Sequence, residues 1–436
     1  MSPAPSPSLG QPSSTTSPYS SLAQHSSTSP SYASPDPSST AASSTAPLPF
    51  PRGPGSVKGI TLTRDEALIV HHYTEQLGRW LDCTDAARQF TLRIPDQLGH
   101  CDVLVHSVLS FAARHRRDTV MADSAYQRCI ELLINRLNED SAALDETFLS
   151  AIVILRFFEQ LNVSSITGSD HEQHLAGLSA LLRASQGPTV DPSAPTLREA
   201  AFWVYVRQCL YNATVNQQPP DLDITLQLVP LPSSLPNSHF LADLRRETAY
   251  ANQITWICAC VIHFCFSMPD KPSERACRTQ QWERLRTSLE AWLKERPASF
   301  NPIWEGPATN SSVFPEIWFS ADWHLMASSF YHFACILLLN YRPGPKFAVR
   351  NVGGGLSDID NQILDHARIM CGSCKSAAST VPNLITLCHS VFIWGPILSH
   401  PEERIEVIQL LSNLENDHVW PTTWIVNELK SQWAMP

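Results

Sequence analysis

Between Phe148 and Phe158 the chain reads FLSAIVILRFF, apolar almost all the way round a helical circle and broken by one charge, Arg156. A helix of that kind has no face to offer water, so it predicts a central element sheathed by other helices. Arg156 must then find a carboxylate, because an unpaired charge in a core is costly. Glu159, one turn on, is the expected partner, and a structural pair is expected rather than a ligand clamp.

The rest of the chain supplies the sheath. TRDEALIVHHYTEQLGRWL starts with Thr63 and acidic residues, then sets Ile69, Tyr73, Leu77 and Trp80 at helical spacing. AYQRCIELLINRL places Tyr126, Cys129, Ile130, Leu133 and Leu137 on one face. In ITGSDHEQHLAGLSALL, Ser169 stands three residues before Glu172, the spacing of a reciprocal N-terminal cap, and Asp170 adds charge that the helix dipole favours. Leu175, Leu178, Leu181 and Leu182 form its buried stripe. Helical patterns recur over residues 197–216, 248–266, 279–297, 323–341, 358–377, 384–398, 402–417 and 422–433. Alternating β-branched segments do not form a comparable series; DITLQLVPLP is one short extended piece, and the Pro- and Gly-rich interruptions read as loops. The expected fold is all-α, about a dozen helices packed pairwise around a long core over residues 61–436.

Residues 1–60 have a different texture. Of the first 50 residues 32 are Ser, Pro or Thr, too little apolar surface to offset the entropy of ordering, so a disordered tail is expected. Five Ser-Pro pairs, beginning at Ser2, Ser6, Ser17, Ser29 and Ser34, follow from that composition. The formal net charge of -10 argues against a protein that coats nucleic acid alone. Twelve scattered cysteines, no charged-then-apolar leader and no uninterrupted apolar run of about 20 residues give a soluble, reduced, intracellular expectation, with no membrane partner.

His171 and His174 are three apart, whereas zinc hydrolases use a spacing of four around a glutamate on a helix already under way; they mark a helix start. CGSC at Cys371–Cys374 lacks both a β-α-β setting and a second ligand pair, and Cys258, Cys260 and Cys265 lie in an apolar helix; all five are expected to be buried thiols. RHRR, Arg114 to Arg117, is expected to cap a helix end rather than bind phosphate. No nucleophile elbow, Walker loop or dinucleotide fingerprint occurs, and DLD and DID are too sparse for a magnesium-diphosphate cluster. No catalytic residue or metal ligand is assigned, no cofactor is expected, and no enzyme activity is predicted.

Several stretches in order resemble one family. HHYTEQLGRWLDCTD, SAALDETFLSAIVILRFFEQLNV with GSDHEQHLAGLSALL, LREAAFWVYVRQCLYNATVNQQPPDLD, FPEIWFSADWHLMASSFYHFACILLLNY and HVWPTTWIVNELKSQW are similar to the regulatory domain of fungal zinc-cluster transcription factors. The resemblance spans roughly Thr63 to Pro436. It implies an all-α regulatory region in a nuclear regulator of RNA polymerase II genes. Control would run through intramolecular repression, homo- or heterodimer contacts with other regulators or, in sterol-responsive relatives, a bound lipid. Family members usually carry a six-cysteine binuclear zinc cluster near the amino terminus. Here the first cysteine is Cys83, so no zinc ligand is carried over, and DNA is expected to be reached indirectly or through a cluster encoded elsewhere. A ligand-binding sensor or adaptor with no promoter contact is the alternative. Trp203, Tyr205, Trp256, Phe264, Trp318, Trp323 and Tyr331 are expected to fill the core rather than enclose an apolar pocket.

Overall fold

The computed structural model describes residues 59–137, 145–164, 187–235, 240–267, 272–308, 312–344 and 356–435, leaving aside the side chains of residues 240–243 and 272–276. The Ser/Pro/Thr-rich tail and the Ser169–Glu172 segment with His171 and His174 lie outside them. Among the described residues the fold is helical, with only two short strand pairs.

Local chemistry sets the helix starts. Thr63 and Glu66 form a reciprocal cap at α1 (Arg64–His72), the glutamate accepting from the Thr63 N–H at 2.7 Å. A single widened π turn, Tyr73–Leu77, joins α1 to α2 (Gly78–Leu81), and through it Ile69, Tyr73, Leu77 and Trp80 all reach the core. After α3 (Gln89–Gln97), α4 (Asp102–His115) packs on both α5 (Thr119–Leu137) and α6 (Glu146–Leu161). On α5, Cys129 and Leu133 are buried, Tyr126 and Ile130 half-buried and Leu137 exposed. Asp145 caps α6 by accepting from the N–H groups of Thr147 and Phe148. The apolar helix is α6, and all eleven residues from Phe148 to Phe158 are buried as expected.

From there α7 (Leu197–Asn216), started by Thr196, leads into α8 (Phe240–Phe266) and α9 (Pro272–Glu295). The centre of the second half is α10 (Asp322–Asn340), which packs on α8, α11 (Asp358–Ser376) and α12 (Val381–Trp394). Finally α13 (Pro401–His418) packs on α12 and α14 (Thr423–Gln432) on α13, with Trp424 of α14 stacked on Phe392 of α12. One buried apolar cluster runs from Ile69 to Trp433.

The extended piece in DITLQLVPLP is β2 (Gln227–Leu228), parallel to β1 (Thr189–Val190). A hairpin pairs β3 (Trp304–Gly306) with β4 (Glu316–Trp318), setting Trp304 opposite Trp318. This corrects one expectation: Trp318 is 43% exposed and does not fill the core. Side chains alternate across a strand, and burying Ile317 turns its neighbour outward.

One helix, α8, bears on the membrane expectation. Its segment Leu244–Phe266 is long and apolar enough to cross a membrane, with a mean hydropathy of 1.3, although Asn252, Gln253 and Thr255 interrupt the apolar run. Of its most apolar window 78% is buried inside the protein, which makes it a core helix here.

Candidate functional site

Within the described residues, the arginine and cysteine groups singled out in the sequence make contacts inside the helical packing. Arg156 and Glu159 pair at 3.0 Å, nearly buried, and the Tyr126 hydroxyl donates to the same carboxylate. Cys371 and Cys374 are buried in α11, where burial pushes both thiols far above their usual range, so neither is a thiolate near neutral pH. In α8, burial likewise raises Cys258 and Cys265 and pushes Cys260 up to about 11. Of the RHRR group, Arg114 donates to the Leu161 carbonyl at the end of α6, and Arg117 to the Asn416 carbonyl near the end of α13. They do cap helix ends, on helices far away in sequence. Among the described residues no three His, Cys, Asp or Glu side chains group as a metal site.

Six segments meet instead around a cavity of about 40 Å³. Trp80 comes from α2 and Cys83 from just after it; Phe157 and Gln160 from α6; Arg207, Gln208 and Tyr211 from α7; Met326 and Phe330 from α10. Pro382, Ile385, Thr386 and His389 come from α12, and Trp420 from the link between α13 and α14. None of the seven aromatics named from the sequence lines it. The lining aromatics hold one another: Trp420 meets Tyr211 edge-on at 5.4 Å between ring centroids, and His389 lies 5.5 Å from Tyr211.

The polar groups on this wall divide in two. Gln208 donates to the Val153 carbonyl at 2.9 Å, and Arg207 donates to the Thr84 hydroxyl and the Leu81 carbonyl, tying α7 to the end of α2 and the residues after it. By contrast Gln160 Oε1, His389 Nδ1 and Trp420 Nε1 are buried with no hydrogen-bond partner. Burial pushes the His389 imidazole down to about 3, so it is neutral at physiological pH. Beside Trp420, Val419 ends α13 in the left-handed region at φ 62°. For a β-branched residue this is a genuine outlier, with a typical cost of about 1–3 kcal/mol. The chain accepts that strain where it turns Trp420 into the core.

A histidine group borders the same wall. His72 Nε2 and His115 Nδ1 lie 3.0 Å apart, and the rings of His115 and His418 both meet Trp80, at 5.2 and 6.2 Å. Burial, then the fields of His72, His418 and Arg117, push His115 down to about 3.

The profile of the fungal specific transcription factor domain matches residues 68–436, and the chain belongs to that family. It is 25% identical over 341 residues to the transcription activator AMTR1 of Alternaria alternata; the match covers 66% of this chain and 44% of that protein, so the chain spans less than half of that relative's length. No solved structure matches the chain.

Proposed function

We propose that the helical body is the regulatory domain of a nuclear regulator of RNA polymerase II transcription, acting through partner contacts or a conformational switch rather than by catalysis. The family match over 68–436 carries this reading, and the likeness to a transcription activator supports it. The partners are other regulators, in a homo- or heterodimer, and DNA is reached through them or through a zinc-cluster segment. The strained backbone at Val419, between α13 and α14, is where such a switch would be looked for first.

The test is a fusion of the chain to a heterologous DNA-binding domain in a fungal host. Reporter output should move several-fold from that of the DNA-binding domain alone, in either direction, and the tagged chain should occupy native promoters. Unchanged output, with occupancy equal to an untagged control, overturns the reading. The cavity favours a second one, a sensor or adaptor that never meets a promoter. Ligand binding by the purified chain without promoter occupancy would select it.

A further inference from the structure

Three side chains on the cavity wall hold polar atoms that the protein leaves unpaired: Gln160 Oε1 is an acceptor, Trp420 Nε1–H is a donor, and His389 Nδ1 is either, according to tautomer. Their residues are 3%, 1% and 3% exposed. Burying such atoms without partners is unfavourable, so the site calls for a guest that pairs them. A hydroxyl donates once and accepts twice, which answers an acceptor, a donor and an adaptable imidazole together. The wall between them is mostly hydrocarbon, from Trp80, Phe157, Met326 and Phe330.

Charge and size narrow the class. His389 is neutral, and the Arg207 guanidinium is already bonded to Thr84 and Leu81 and lies in the field of Asp85, so an ionised guest gains little. A buried water needs about 10–15 Å³ of such space and two to four polar partners. The cavity's 40 Å³ therefore admits about three waters, for which three protein atoms offer about one bond each. A drug-sized molecule, needing about 300–1,000 Å³, does not fit.

We propose that the cavity binds a short-chain, uncharged alcohol of about four non-hydrogen atoms, its hydroxyl bonded by Gln160, His389 and Trp420 and its hydrocarbon end against Phe157 and Phe330. The proposal goes beyond the transcriptional reading and does not depend on it, because it is read by binding to the purified chain.

The full chain, labelled at its indole nitrogens, is titrated with 1-propanol. The Trp420 and Trp80 resonances should shift saturably, with half-saturation on the order of millimolar for so small a ligand, while the resonance of exposed Trp304 should not saturate. Trp420→Phe keeps a ring and removes the donor; Gln160→Leu removes the acceptor. Read at Trp80, each should weaken binding by about tenfold, with far-UV circular dichroism and Tm confirming the fold. Shifts at Trp420 and Trp80 that stay linear like that of Trp304, or saturation unaltered in folded variants, overturn the proposal. If neither variant folds, a high-resolution crystal structure grown in 1-propanol decides: alcohol seated between Gln160 and Trp420 supports it, and water alone there overturns it.

Discussion

At the scale of single residues, Glu247 on α8 is held by donors from two other segments. Trp323 Nε1 donates to it at 2.6 Å, and His324 Nε2 stands 2.7 Å away, with its Nδ1 2.9 Å from the Ser320 hydroxyl. Burial alone would raise the Glu247 carboxyl, but the hydrogen bonds from His324, Ser299 and Trp323 outweigh it and bring it down to about 2. Since this lies below the unfolded value of 4.5, its stabilisation is complete above about pH 5 and disappears as pH falls from there toward 2. Glu247→Gln should cost about 1–3 kcal/mol near neutral pH, with the gap to the parent closing by pH 2, measured by urea denaturation across that range. A gap independent of pH would refute the ionic account. The sequence does not announce this cluster: Glu247 and His324 are 77 positions apart. Arg156 and Glu159 were legible because one helical turn brings them together whatever surrounds them. For Arg114 and Arg117 the kind of contact was legible, but carbonyls on α6 and α13 could not be read from local spacing.

Elements follow the same division. Helix starts at Thr63, Asp145 and Thr196 were open to reading, since a cap and the amides it serves lie within three residues. The π turn at Tyr73–Leu77 was not, because the apolar spacing reads as one continuous helix. Gly372 is the clearest case of a hidden element contact. A Cβ on it would stand 2.2 Å from the carbonyl oxygen of Pro315, the residue just before β4, so α11 approaches the hairpin's second strand only because this residue has no side chain. In the sequence it is merely the spacer of CGSC, and attention falls on the cysteines. Gly372→Ala should destabilise the protein by about 1–3 kcal/mol through overpacking, seen as a lowered Tm. An unchanged Tm would show that the hairpin moves aside freely.

For the whole molecule, the all-α architecture was legible because helical periodicity is local and repeats along the chain. The cavity was not: its walls are drawn from positions between 80 and 420, each an ordinary helix residue where it stands. Burial also joins distant parts of the chain. Ile425 and Leu429 from α14 and Trp433 just after it are buried, and the Trp433 indole donates to the Gly395 carbonyl at 2.9 Å. Removing residues 423–436 strips three large side chains from the core, about 5–9 kcal/mol of apolar burial, comparable with the 5–15 kcal/mol that holds a typical domain. Loss of the cooperative urea transition, followed by circular dichroism, is the expected outcome; a truncated chain that kept a sharp transition would place α14 outside the folding unit.

Trp80 meets His418 edge-on, and Arg117 closes on Asn416. A ribosome adding about 5–20 residues per second needs roughly 20–70 s to travel from one to the other. For that interval the emerging polypeptide carries an aromatic surface that its own later segment has yet to shield.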